Sequence, residues 1–515
     1  MIKTLVSVSK FVVIALAFGL AYTQDPIFNS PENQNTKYLQ GLAKAGLGFL
    51  NEDWLVSTVD PLPVFTFLVK NTYQYLHSEY AFYAYYIIIF GAYIYSLIGI
   101  AASIYPIKRP GFVYVTYLAL FIFLHTVDIK IGSFETDWHL QAGVAGQYIL
   151  GPVFQPANFG VFILLSIWAF LYHKPFIASA LLSVAAIVHP AYFPSAAALM
   201  LAYILLLLWY KQNLKQALFV GVLFTILVLP KLGYMHFAFP DTSPEIARQA
   251  TEIIVNERIP HHSIPAIWLA DGSAYVQTLW VVFALYLVRK HQLFWLLCLP
   301  FLIAVGLTLA QIVSASETLA FLAPWRISAF LVPIATSIVL AQVVTFIFAQ
   351  NHHPVWQYRM LISRLSMAMI LTLVVIGIIH QIDMFQDRDR TMSMMNFIKT
   401  NRQAGETYLI PPATKDLRKF RLYTGAPILV NQKSHPYLDT EVIEWHRRLG
   451  LAHNFYAAAA AESCRILRED LSGYAITHVV LPKENFGNSC PDLQELYRDD
   501  DYEVYATPNG LHSQR

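Results

Sequence analysis

Eleven apolar runs dominate this chain, at residues 5–22, 79–105, 111–127, 157–172, 176–190, 193–210, 215–236, 274–288, 292–313, 327–349 and 363–380. A helix of about 20 apolar residues crosses the hydrocarbon core of a bilayer. In lipid each backbone polar group needs an internal partner, and long continuous runs meet that demand as helices. Some runs are short, notably 176–190, which ends in His189-Pro190. Short or proline-broken segments suit helices that surround a cavity instead of facing lipid all round. The expected fold is mainly α: a polytopic helical membrane bundle of about eleven transmembrane helices.

Charge placement divides the chain. Only 13% of residues are charged, against about 25% in an average soluble domain, and 34 of the 68 charges follow Gln381. This predicts a multipass domain over 1–381 and a soluble domain over 382–515. The net charge of +2 carries no information, and no basic tract points to nucleic acid. Lys3, Lys10, Lys108, Arg109, Lys174, Lys211, Lys215, Arg289, Lys290, Arg359 and Arg364 fall on one side if the runs alternate, the positive-inside pattern. The N-terminus is then cytoplasmic and the C-terminal domain extracytoplasmic. The first run reads as a retained anchor, because no small-x-small cleavage site precedes Gln24.

The outside loops are patterned. In 24–78, residues Tyr38, Leu39, Leu42, Ala45, Phe49 and Leu50 recur at helical spacing, which predicts an amphipathic helix lying in the membrane interface. In 237–273, Ser243-Pro244-Glu245 starts a second one through Ile246, Ala250, Ile253 and Ile254. The tail reads as a small α/β domain. Its expected strands are Thr407–Ile410, Ala426–Val430, Ile476–Leu481 and Tyr502–Ala506, and its helices start from caps at Asp439 and Asn454. Cys464 and Cys490 both lie there, either paired in an oxidising compartment or as free thiols.

Candidate chemistry collects in the outside segments. Glu52, Asp53 and Asp60 of the first loop suit a general base for an acceptor hydroxyl, or a divalent ion (Mg or Mn) held against a phosphate; the alternative is a hydrated loop with Asp60 closing a turn. Asp137 and His139, near Asp128 and Glu135, lack zinc spacing but suit an acidic pocket shared with the first loop. His189, bracketed by prolines, is either a substrate or proton-shuttle group or a rigid turn. Arg326 beside Trp325 is an interfacial anchor or a fork for a lipid-linked phosphate. Arg421, Lys433 and His435 flank an expected strand and suit an anionic head group, or form a solvated rim. There is no G-x-S-x-G, Walker A, G-x-G-x-x-G, H-E-x-x-H or paired C-x-x-C.

The layout, with an N-in first helix, a large first outside loop with interfacial helices and acids, many further helices and an outside C-terminal domain, resembles the C-type (GT-C) polytopic membrane glycosyltransferases. It looks more like uncharacterised bacterial multipass membrane proteins related to them, which the stretches from Gln34 to Leu39 through Asp53-Trp54 to Asp60-Pro61, Phe420 to Gly425 and Lys433 to Tyr437 also resemble. The resemblance implies sugar transfer from a polyprenyl-phosphate donor to an acceptor at the outer face of the inner membrane. It implies Asp53 as the base, with Glu52 beside it and Asp60 as alternate, and Arg326 on the phosphate. Expected partners are the lipid-linked donor and membrane lipids. The chain departs from several members in lacking a D-x-D pair. A transporter, which would show midplane charges and a repeated half, and a non-catalytic assembly or binding protein are the other readings.

Overall fold

The computed structural model describes residues 33–108, 110–126, 140–210, 212–349, 354–386, 389–483, 490, 492–508 and 510. The first apolar run lies outside these residues, as do Arg109, Lys211, Asp128, Glu135, Asp137 and His139. The chain forms two compact units. A bundle unit contains Tyr83–Tyr234 and Ile259–Ile382, and a mixed unit contains the described residues up to Phe82, Met235–Arg258 and the stretch from Asp383 onward.

Among the described residues, six helices are long and apolar enough to cross a membrane: Tyr80–Ala102, Pro190–Trp209, Leu214–Ala238, Leu293–Ser314, Glu317–Phe348 (kinked near Pro324) and Arg359–Gln386. Four shorter apolar helices accompany them, at Gly111–Thr126, Pro156–Leu171, Pro175–Val188 and Gly272–Leu287. Each overlaps one of the apolar runs. The stretch Ser328–Ala349 packs on Gly111–Thr126 and Gly272–Leu287, and buries Phe330, Leu331, Ile334 and Ile338. Helices Leu214–Ala238 and Arg359–Gln386 instead leave Leu218, Phe219, Ile226, Leu365, Leu371 and Val375 open. Apolar side chains on so many helix faces suit a lipid surround better than water.

Largely irregular backbone enters the bundle unit at residues 140–155, and polar side chains on its apolar helices satisfy part of that backbone. Thr336 Oγ1 donates to the Leu140 carbonyl at 2.7 Å, Gln277 Nε2 to that of Ala142 at 3.1 Å, and the Val144 amide donates to Ser328 Oγ at 2.8 Å. Such pins are what irregular backbone requires where water is scarce.

The mixed unit is built on a four-stranded sheet, with β1 Tyr408–Leu409, β2 His478–Pro482, β3 Gln494–Arg498 and β4 Tyr502–Ala506 in the order β1-β2-β4-β3. β1 and β2 are parallel and the other pairs antiparallel, with Val480 opposite Val504. Met394, Met395, Ile398, Phe420, Ile428, Val480 and Val504 form its core. Two expected elements are corrected by this arrangement, and one strand, β3, goes beyond the expected set. Ala426–Val430 makes only an isolated parallel bridge to β1, in which the Tyr408 amide donates to the Pro427 carbonyl at 3.0 Å and the Leu429 amide to that of Tyr408 at 2.9 Å; the Ile428 amide, on the other edge, goes to the Asp53 carboxylate. β3 carries no alternating pattern, since it is a mostly exposed strand at the sheet edge. Asn454 caps nothing, since one helix runs through it from Asp439 to Ala457, and the next is Ala460–Arg468. Cys464 and Cys490 are disulfide-bonded, with Cα atoms 5.4 Å apart.

Neither expected interfacial helix lies on an interface within this unit. The first breaks into Gln34–Lys37 and Leu39–Lys44, with Tyr38, Leu39 and Leu42 fully buried. Tyr38 meets the rings of Phe65 and Phe82 edge-on at 5.5 and 4.9 Å. The second, Pro244–Ile253 with a π-helical turn Ile254–Arg258, packs its apolar face on helix Asp439–Ala457. An amphipathic face records that something apolar covers it, and the cover here is the rest of the same unit.

Candidate functional site

Two pairs of sequence stretches meet in the mixed unit. The first brings residues 48–54 onto 420–428. Phe49 donates its amide to the Gly425 carbonyl at 2.8 Å, and a Cβ on Gly48 would stand 2.3 Å from that oxygen, so the two backbones touch where only glycine fits. Asp53 caps the short helix Trp54–Ser57 through Oδ1, which accepts from the Leu55 amide at 2.9 Å. Its Oδ2 accepts from Arg421 Nε at 2.7 Å and from the Ile428 amide at 3.0 Å. Both partners of this ion pair are buried, at 0% and 3% side-chain exposure.

That geometry corrects two assignments. Full burial and three donors leave Asp53 no approach for an acceptor hydroxyl, so it holds two stretches of chain together. Arg421 is committed to Asp53 and is not part of a head-group cluster with Lys433. Glu52 is exposed and accepts the Gly405 amide through Oε2 at 2.7 Å.

The second pair brings residues 34–39 onto 433–437. Thr36 Oγ1 and Ser434 Oγ lie 2.9 Å apart, and Lys37 Nζ donates to the Tyr437 hydroxyl at 2.9 Å. Arg258 donates from Nε and Nη2 to the Lys433 carbonyl at 3.1 and 2.8 Å, and from Nε to His435 Nδ1 at 3.1 Å. A small cleft of about 30 Å³ opens here, lined by Lys37, Gln40, Thr58, Asp60, His435 and Tyr437 among others. Asp60 accepts the Leu62 amide through Oδ1 at 2.8 Å and faces Lys44 through Oδ2 at 3.6 Å, with its side chain 11% exposed. Of the three first-loop acids, Asp60 alone lines this cleft. The sequence reading missed Lys37 and Arg258. Lys37 sat inside a stretch already marked by resemblance, and Arg258 ends an amphipathic run, where a lone cation is no signal.

The bundle unit holds the remaining described candidates. His189 Nδ1 accepts the Ala191 amide at 3.3 Å, and its ring lies 5.3 Å from that of Tyr192. The turn Pro190–Tyr192 contacts the turn Pro324–Ile327, which carries Arg326. The turn that follows His189 and the turn that carries Arg326 thus come together. Asp137 and His139 lie outside the described residues. Among the described residues no three His, Cys, Asp or Glu side chains come together, so the expected divalent ion finds no ready ligand set there.

Burial and the charges of Arg258, Lys37 and Lys433 hold His435 well below the usual histidine range, although its Lys433 backbone contact opposes them. Burial also lowers His478, against the pull of Glu406. The unfolded chain takes up protons at both near pH 6.5, while the folded unit refuses them. Stability is therefore complete above about pH 6.5 and falls as pH drops towards the folded values. His435→Gln should flatten the decline of melting temperature between pH 7 and pH 5, roughly halving a two-proton slope. An unchanged slope in that variant would show that His435 titrates normally.

Residues 389–452 match a family model described as Domain of unknown function (DUF6798). The matched stretch carries Arg421, Lys433, His435 and Tyr437, and covers well under half of the chain. No curated protein matches the chain.

Proposed function

We propose that the chain is a multipass protein of the bacterial inner membrane, crossing about eleven times, that transfers a sugar from a polyprenyl-phosphate donor to an acceptor at the extracytoplasmic face. Parity supports the crossings. The three stretches of the mixed unit fold together, so they share one side of the bilayer. Among the described residues, six of the ten apolar helices stand between Phe82 and Met235, and four between Arg258 and Asp383. Both numbers are even. The long helices alone give three and three, which would divide the folded unit across the membrane. Gly272–Leu287 must then cross, together with one or all three of the earlier short helices. The Cys464–Cys490 bond suits an oxidising, extracytoplasmic side.

One observation carries the chemistry: the Asp60 carboxylate lines a cleft with Lys37, His435 and Tyr437. Asp60 takes the proton of the acceptor hydroxyl as its oxygen bonds to the anomeric carbon. The bond from that carbon to the donor phosphate breaks, and the phosphate leaves with the electron pair. Asp60→Asn, in membranes containing the full chain, should reduce transfer of labelled sugar from a polyprenyl-phosphate donor about a hundredfold. It should melt at the wild-type temperature. Undiminished transfer in this variant would end the proposal.

A second reading is favoured by the cleft's volume of about 30 Å³, near the space one water molecule fills and far below a sugar ring. On that reading the mixed unit binds a partner or ligand without turnover, and no donor is consumed by the wild-type chain either.

A further inference from the structure

We propose that Lys37 and Arg258, gathered with Lys433 about the buried His435, form a seat for a phosphate group. The cations come from three stretches brought together only by folding: the first loop, the end of the helix Pro244–Arg258 region, and the tail. Arg418 lies close enough to Arg258 for their charges to oppose each other. None of Lys37, Arg258 and Arg418 forms an ion pair with a carboxylate among the described residues. The nearest acid in the cleft, Asp60, already faces Lys44.

Half-buried like charges held together cost stability unless an opposite charge joins them. The donors are also aimed. The Lys433 carbonyl and the His435 ring fix the Arg258 guanidinium through Nε and Nη2, while Nη1 has no hydrogen-bond partner among the described residues. Lys37 spends one of its three N–H groups on Tyr437. A neutral His435 keeps the ring as an acceptor for Arg258, so the fork stays oriented. The forked guanidinium of Arg258 and the remaining N–H groups of the Lys37 ammonium match the charge and several oxygens of a phosphate or diphosphate better than the two oxygens of a carboxylate. The phosphate comes either from a lipid carrier or from a soluble phosphate ester.

The inference rests on the transfer reading only for the identity of a lipid carrier, and its test needs no turnover. The full chain in phosphatidylcholine nanodiscs is titrated calorimetrically with inorganic pyrophosphate. The wild type should bind it, and Arg258→Gln and Lys37→Gln should each weaken binding about tenfold or more, as loss of a charged hydrogen bond does. Arg465→Gln, whose side chain pairs with Glu462 and Glu469, should bind as the wild type. Discs that also contain a polyprenyl phosphate separate the sources: a carrier that displaces pyrophosphate identifies the lipid, and undisturbed pyrophosphate binding identifies a soluble ester. No binding by the wild type, or equal binding by a folded Arg258→Gln, Lys37→Gln double variant, overturns the seat. Binding without any sugar transfer would end the transfer reading alone, and transfer without binding would end the seat alone.

Discussion

Asp53→Ala should lower the stability of the mixed unit by about 3–5 kcal/mol, the usual cost of stripping one partner from a buried ion pair. Arg421 stays behind with its charge, 3% exposed, and its Nη1 already lacks a partner among the described residues. The amides of Leu55 and Ile428 lose their acceptor as well. Asp53→Asn should do less damage, since an amide oxygen still accepts from a backbone N–H. Replacing Arg421 by Met together with Asp53→Ala should recover part of the loss, because no charge is then stranded. It should not recover all, because the two amides remain unsatisfied. Melting of the purified chain, with limited proteolysis of the tail, measures each step. A wild-type melting temperature for Asp53→Ala would show that the pair contributes nothing. The same series separates a structural acid from a catalytic one: loss of transfer by Asp53→Ala should follow loss of folded protein, whereas Asp60→Asn should lose transfer alone.

Removing the disulfide by Cys464→Ser with Cys490→Ser should cost about 3 kcal/mol. The bond closes a loop with a sequence separation of 26 residues, and a loop of that size restrains the unfolded chain by about that much. Helix Ala460–Arg468, whose Cys464 and Ile466 are buried, is the element that should loosen first. The readouts are an earlier melting transition and faster cleavage near that helix. A reductant should shift the wild type by the same amount and leave the double variant where it stands. A wild type indifferent to reductant would mean that the thiols are not joined, and would remove the support that the bond gives to an oxidising compartment.

Much of the architecture was legible in the chain. Ten of the eleven apolar runs coincide with helices, because a run of 15 or more apolar residues has few other ways to satisfy its backbone. The start of helix Asp439–Ala457 and the strands at 408–409, 478–482 and 502–506 were also anticipated, although Asp439 is the first helical residue and caps nothing, its carboxylate accepting from Thr242 instead. The edge strand β3 was invisible, since exposed strands carry no alternation to read.

The site was half legible. The residue types were named, but their roles changed once burial was known. Asp53 and Asp60 look alike as carboxylates in one loop, yet one is sealed by Arg421 and two amides while the other lines a cleft. Amphipathic helices over 36–50 and 243–254 looked like membrane-surface helices, and an apolar stripe cannot say what will cover it.

Local chemistry therefore settled where helices form and which end of the chain is rich in charge, since both depend on neighbours within a few residues. Tertiary folding alone decided that residues 33–82, 235–258 and the tail make one unit, that Asp53 pairs with a residue 368 positions away, and that Arg258 meets His435. Those choices turn on desolvation and charge between distant groups, and neither leaves a periodic trace in sequence.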